Sequence, residues 1–288
     1  MSIAGIWVPI VTPFRNGQID FPALKRTAAE LIEAGISGLI ACGTTGEPAA
    51  MSEDEQLAVL DAVLEAVPGT QVAMGLSDNN LAAALERLKR ICERPVAGVL
   101  VPPPYYIRPS QAGLVEYFRA IADASSAPLI VYNIPYRTGV AMELSTLRAI
   151  AEHERVAALK DCGGDLGLTM QLIADGKLAV MAGEDQQALS TLCLGGAGVI
   201  AATAHIRPDL FAQLPVLVRE GKLDEARRIF YRLLPMIRLA FGEPNPGPVK
   251  AALSMLGKMS DELRSPMQAA SSAVRAAWEP ILQDLELL

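Results

Sequence analysis

Eight short apolar runs, each closed by glycine, proline or a polar residue, recur along the chain. They are GIWVPIV (5–11), GLIACG (38–43), TQVAMGL (70–76), VAGVLVPPP (96–104), APLIVYNIP (127–135), VAALKDC (156–162), LAVMAG (178–183) and GVIAATA (198–204). Several are rich in β-branched residues, and their hydrophobicity is continuous rather than alternating, as in strands covered on both faces of a parallel sheet. Between them lie segments with helical spacing and helix-start signals: Ser52 precedes EDEQLAVLDAVLEAV, and Ser110 precedes QAGLVEYFRAIADA. A strand followed by a helix, eight times over about 220 residues, predicts an α/β fold of the (β/α)8 TIM-barrel type. The alternative is an open flavodoxin-like or Rossmann sheet with an added helical domain, which the lack of G-x-G-x-x-G after the first run weakens.

From about Arg207 the pattern is helical throughout: PDLFAQLPVLVREG, LDEARRIFYRLLPMIRLAFG, PVKAALSMLG and MQAASSAVRAAWEPILQDLELL. The expected organisation is a catalytic barrel over residues 1–206 plus the following helix, with a C-terminal helical extension over 222–288. No linker, low-complexity tract or repeat beyond the βα period interrupts it.

With 288 residues, 51% of them hydrophobic and 20% charged, the chain can bury a large core. Its net charge of −7 argues against a partner held through phosphates, since that affinity comes from clustered lysine and arginine. Small molecules are the expected partners, with neither nucleic acid nor membrane. Cys42, Cys92, Cys162 and Cys193 stand far apart without a C-x-x-C pair, and only His153 and His205 accompany them, so neither a disulfide framework nor a zinc site is expected. The first residues carry no basic segment ahead of an apolar stretch, and no run reaches the ~18 apolar residues of a membrane helix; a cytoplasmic location is expected.

A (β/α)8 barrel carries its chemistry at the C-terminal ends of the strands. There the second run ends in GTTGE (43–47), the fourth enters PPPYYIRPSQ (102–111), the fifth ends in YNIPYRTG (132–139) and the sixth ends at Lys160. Lys160 has two readings. In an apolar pocket its amine loses its proton readily and attacks a carbonyl to form a Schiff base; otherwise it reaches for solvent or pairs with a carboxylate such as Asp161. Tyr132, a phenol one βα unit earlier, favours the first, because imine formation needs a proton carrier. GTTGE offers backbone N–H groups and two hydroxyls ahead of a helix, a seat for a carboxylate, although Gly-Thr turns are common between strands and helices. Arg137 either holds a second anion in bidentate fashion or forms a salt bridge on the rim. Together these groups describe a pocket for a 2-oxo acid.

These motifs, with VPIVTPF (8–14), LKD (159–161) and EPNPGPVKAAL (243–253), make the chain resemble the dihydrodipicolinate synthase / N-acetylneuraminate lyase family of class I, pyruvate-dependent aldolases over nearly its whole length. Thr44 followed by Thr45, the Tyr-Tyr-x-Arg-Pro-Ser-Gln run and the Glu-Pro-Asn-Pro run resemble the synthase branch. The resemblance implies a covalent imine between Lys160 and pyruvate, without organic cofactor or metal. It implies a proton relay of Tyr132, Thr44 and Tyr106, the last reaching into a neighbouring subunit's site. Thr45 and Thr44 would bind the pyruvate carboxylate and Arg137 that of L-aspartate 4-semialdehyde, while Gly183 and Ile200 match backbone positions lining the same pocket. A homo-oligomer, a tetramer built as a dimer of dimers, is implied, as is a place in diaminopimelate and lysine biosynthesis.

Pro48, and Asp161-Cys162 after the lysine, depart from the family pattern. A catabolic lyase or dehydratase acting on a sugar-derived 2-oxo acid is therefore the alternative, and a catalytically silent barrel that binds a 2-oxo acid is a third reading. In lysine-inhibited synthases the inhibitor's ligands include histidines, an asparagine and a glutamate. The corresponding positions here are Glu53, Gln56, Asn79 and Ala83, so weak or absent inhibition by lysine is expected.

Overall fold

The computed structural model describes residues 3–288. All eight apolar runs contain strands: β1 (Gly5–Pro9), β4 (Gly38–Ala41), β5 (Gln71–Gly75), β6 (Gly98–Val101), β7 (Leu129–Asn133), β8 (Val156–Asp161), β9 (Ala179–Ala182) and β10 (Gly198–Ile200). These close into a barrel in the order β1-β10-β9-β8-β7-β6-β5-β4, each beside its neighbour in sequence, as the βα period predicts. The short antiparallel ribbon β2 (Phe14–Arg15) and β3 (Gln18–Ile19) went unforeseen, because two residues carry no period.

Helices α1 (Phe21–Glu33), α2 (Glu53–Ala66), α3 (Leu81–Cys92), α4 (Gln111–Ala124), α5 (Pro135–Thr138), α6 (Leu144–Ala151), α7 (Leu166–Asp175) and α8 (Ala188–Cys193) alternate with the strands. Then come α9 (Pro208–Arg219), α10 (Leu223–Ala240), α11 (Gly247–Met255) and α12 (Ser272–Asp284). Both predicted caps are present: Ser52 and Glu55 form a capping box on α2, and the Ser110 side chain accepts from the Gly113 amide on α4. No helix among the described residues is long and apolar enough to cross a membrane.

Contacts within the chain gather into two units. One is built on Gln71–Ile200 with the short stretch ending at Gly5, and the other on Ile6–Thr70 with Ala201–Leu288. In the first, β5 to β10 pair in parallel, and the register sets Tyr132 beside Lys160 and Asn133 beside Asp161. In the second, β1 pairs with β4. There α10 buries Ala226, Phe230, Leu233, Ile237 and Ala240, a stripe at helical spacing in which each large side chain contributes roughly 1.5–3 kcal/mol.

The first and last runs continue apolar past their strands. Ile10 and Ala201 still donate to the Ile40 and Trp7 carbonyls at 3.0 and 2.9 Å, but Val11 and Ala204 are fully buried beyond the strands. The Val11 amide donates instead to His205 Nε2 at 3.1 Å, so a buried loop reads in sequence like an extension of its strand. Burial pushes that histidine down to about 4, and its ring stays neutral.

Candidate active site

Lys160 is the fifth of six residues in β8 and is 6% exposed. Its Nζ lies 4.2 Å from the centroid of the Tyr132 ring, its register partner on β7. Successive strand residues face opposite ways, so Asp161 turns away from the amine. Its carboxylate accepts from Asn133 Nδ2 at 3.2 Å, the Gly163 amide at 2.9 Å and Thr169 Oγ1 at 2.7 Å. Of the two readings of this lysine, solvent reach and pairing with Asp161 both fail. Burial holds the amine below its ordinary value; Cys162, Asp185 and Glu184 oppose that, while Arg137 adds to it.

Around the amine stand groups from three strand ends. Cys162 follows β8 and is 4% exposed, and the space a Cβ at Gly183 would need is taken by its Sγ. Burial pushes that thiol up, so it is protonated. Gly183, just past β9, donates its amide to the Asp161 carbonyl at 2.8 Å. A Cβ at this glycine would overlap Cys162 Sγ and stand 2.9 Å from Lys160 Cγ, so no side chain fits. The single-turn α5, ended by Gly139 at φ 76°, carries Tyr136 and Arg137. The Tyr136 hydroxyl donates to Glu184 Oε1 at 3.0 Å, and the exposed Arg137 guanidinium lies 5.6 Å from the Tyr136 ring centroid. No ion pair engages Arg137 among the described residues, which leaves its fork open to an anion. Ile200 is buried at the end of β10.

Tyr106 stands apart. It is 88% exposed at φ 70° in a loop that also exposes Tyr105 and Ile107, and its side chain has no partner among the described residues.

In the other unit, Thr44–Gly46 form a 3-10 turn directly after β4. Gly46 and Glu47 return their amides to the carbonyls of Gly43 and Thr44 at 2.8 and 3.2 Å, leaving those of Thr44 and Thr45 without a backbone acceptor among the described residues. Thr12 Oγ1 donates to the Gly46 carbonyl at 2.7 Å, and Asn245 Nδ2 donates to Thr45 Oγ1 at 3.0 Å. The buried Asn245 Oδ1 has no hydrogen-bond partner among the described residues. GTTGE precedes a helix, as expected, but not directly. A second 3-10 turn, Pro48–Ala50, intervenes before α2 begins at Glu53, so free amides come from the turn rather than from a helix end. Pro48 starts that second turn, and its carbonyl accepts from Gln56 Nε2 at 2.9 Å.

Glu47 takes the left-handed conformation at φ 56°, and its carboxylate meets Lys250 Nζ in a pair 2% and 0% exposed. Lys250 also donates to the Glu262 carbonyl at 2.9 Å and lies 4.5 Å from the Phe14 ring centroid. Burial pushes the Glu47 carboxyl up and the Lys250 amine down, each opposed by the other's charge.

Residues 2–285 match the model of the Dihydrodipicolinate synthetase family. The chain belongs to that family. The 4-hydroxy-tetrahydrodipicolinate synthase of Methanocaldococcus jannaschii is 37% identical over 286 residues, covering 99% of each chain. That of Pelobacter propionicus is 37% identical over 287 residues, again with 99% of each chain covered. Among solved structures, the dihydrodipicolinate synthase of Thermotoga maritima superposes with a TM-score of 0.97 at 32% identity over 100% of both chains. Another, described as a monomeric dihydrodipicolinate synthase variant, superposes with a TM-score of 0.96 at 32% identity, covering 99% of this chain and 98% of that one.

Within this family member the structure gathers Lys160, Tyr132, Gly183 and Arg137 in one unit and seats Thr44 and Thr45 in the other. Sequence reasoning missed Tyr136, Glu184 and Asp185, and passed over Asn245 within a motif it had quoted. An acidic pair at a strand's C-terminal end was the available signal for Glu184 and Asp185.

Proposed function

We propose that this chain condenses pyruvate with L-aspartate 4-semialdehyde, the reaction of a 4-hydroxy-tetrahydrodipicolinate synthase, as a lyase of the class I, Schiff-base type. The observation that carries the reading is a buried lysine at a strand end with no carboxylate partner, set against a tyrosine. Its neutral amine attacks C2 of pyruvate; the carbinolamine loses water, and the protonated imine becomes the electron sink that an added cofactor would otherwise supply. Loss of a C3 proton gives the enamine, which attacks the aldehyde carbon while the aldehyde oxygen takes up a proton. The amine of the second substrate then displaces Lys160, closing the ring and freeing the enzyme.

Tyr132 carries the protons, with Thr44 and with a Tyr106 supplied by a partner subunit. The free amides of Thr44 and Thr45 receive the pyruvate carboxylate, Arg137 receives that of the semialdehyde, and Gly183 and Ile200 line the pocket. An exposed Tyr106 in a left-handed, apolar loop supports a second copy at that surface, in a tetramer made of two dimers working in the cytoplasm.

Product formation from the two substrates, coupled to a dihydrodipicolinate reductase and followed by loss of NADPH absorbance, tests the reading. Robust turnover is the expected result. Absence of turnover with a borohydride-trapped pyruvate adduct would move the assignment to a sugar-derived 2-oxo acid, and absence of the adduct to a silent barrel.

A further inference from the structure

The turn Thr44–Gly46 carries more hydrogen-bond donors than the chain itself engages. The amides of Thr44 and Thr45 have no backbone acceptor among the described residues. Thr45 is 3% exposed, and its Oγ1 accepts from Asn245 Nδ2 at 3.0 Å. A hydroxyl has one proton to give besides the lone pairs that accept. With Asn245 on one lone pair, that proton turns elsewhere, and no acceptor for it stands among the described residues. A buried donor left unengaged is costly, so the turn is shaped for an acceptor that arrives from outside. Two amides and one hydroxyl on consecutive residues suit a group that only accepts, a carboxylate.

The turn is held largely from the C-terminal segment. Asn245 stands two residues ahead of α11, whose Lys250 meets Glu47, the residue that ends the turn. The Arg264 amide donates to the other Glu47 oxygen at 3.4 Å, and Arg264 Nη1 donates to the Ala50 carbonyl at 3.0 Å. Thr12 Oγ1 donates to the Gly46 carbonyl at 2.7 Å. These contacts grip the backbone or the end of the turn, whereas Asn245 grips the hydroxyl. Its Oδ1 is buried without a hydrogen-bond partner, so the bond to Thr45 is what fixes that amide among the described residues.

We infer that Asn245 is a positioning residue for pyruvate: by donating to Thr45 Oγ1 it turns the Thr45 hydroxyl proton toward the carboxylate that the turn receives, adding a third donor to the two amides. Asn245 acts through Thr45. The inference rests on the proposed Schiff-base reaction with pyruvate.

The test measures the pyruvate concentration that half-saturates the borohydride-trapped adduct, read by intact mass, so it does not depend on the second substrate. It compares the full-length enzyme with Asn245→Asp, Asn245→Ala, Thr45→Val and Thr45→Ser, with thermal melts recorded for each. Asn245→Asp keeps the shape but replaces the donor by an acceptor, which draws the Thr45 proton to itself and sets a charge beside the carboxylate. Half-saturation should rise about 10- to 100-fold. Asn245→Ala and Thr45→Val should each raise it about 3- to 10-fold, and Thr45→Ser, which keeps the hydroxyl, less than about twofold. The double variant Asn245→Ala/Thr45→Val should bind no more weakly than Thr45→Val, since without the hydroxyl nothing remains for the asparagine to orient. Saturating pyruvate should restore the full amount of adduct in every variant, which a general loss of structure would not allow. Where the alanine variant does not fold, the isosteric aspartate decides. Unchanged half-saturation in Asn245→Asp, or single effects that multiply in the double variant, would overturn the role of Asn245 and leave the proposed function standing. No adduct in the unaltered enzyme would overturn the proposed function, and this role with it.

Discussion

Two lysines of this chain are almost wholly buried, and they differ in what they meet. Lys250 meets the Glu47 carboxylate, the Glu262 carbonyl and the face of Phe14. Lys160 meets only the face of Tyr132, with no ion pair among the described residues. Burial lowers both amines, yet one is held by an opposite charge and the other has none in contact. Burial alone therefore does not mark a candidate reactive lysine; burial without a carboxylate at hydrogen-bond distance does. The pair at Glu47 has a different use, fixing the left-handed residue that ends the Thr44–Gly46 turn.

The largest effect that tests this contrast is on chemistry. Lys160→Ala should abolish the borohydride-trapped pyruvate adduct, read by intact mass, whereas an adduct retained on another lysine would break the comparison.

On stability the two sites should move in opposite directions. Glu47→Ala leaves Lys250 buried without its partner and should cost about 3–5 kcal/mol in urea unfolding, while Glu47→Leu combined with Lys250→Met should recover most of that loss. Lys160→Met should stabilise the fold by about 1 kcal/mol at neutral pH. The sign follows from linkage: the folded amine lies below the ordinary 10.5, so as pH falls through that value the unfolded chain takes up the proton first and stability is lost. Removing the amine removes that loss, and the gain should shrink as pH approaches 10.5.

A third buried base sharpens the same point. His205, lowered from 6.5 to about 4, should cause a loss of up to about 3 kcal/mol as pH falls across that window, because the unfolded chain again protonates first. His205→Gln should flatten urea-unfolding stability against pH there. The smallest effect concerns Gln56, whose amide is engaged by the carbonyls of Pro48 and Met51 at 2.9 and 3.2 Å. Millimolar lysine should leave turnover in the coupled assay within about twofold of its value without lysine, since the binding energy of a charged amino acid needs free polar ligands.

Much of the candidate site was legible because strand ends in this architecture are readable positions: Lys160, Tyr132 and Gly183 each stand at or near the end of an apolar run. Tyr136 and Glu184 were not, since their bond spans 48 positions of sequence and neither residue is unusual alone. The Glu47–Lys250 pair, 203 positions apart, was hidden for the same reason, although both residues stand inside quoted motifs. The extent of the first and last runs was overread because buried loop and buried strand share one apolar pattern.

By itself the sequence determined the fold class, the order of strands and helices, the caps on α2 and α4, and the candidacy of Lys160, since all of these follow from local periodicity, local capping and position within a run. Only the tertiary structure decided which buried lysine lacks a carboxylate, that Asp161 turns to Asn133 and Thr169, and that Tyr136 meets Glu184. The physical reason is that charge state depends on the groups within a few ångströms, and those groups are brought there by chain segments that the local pattern cannot pair.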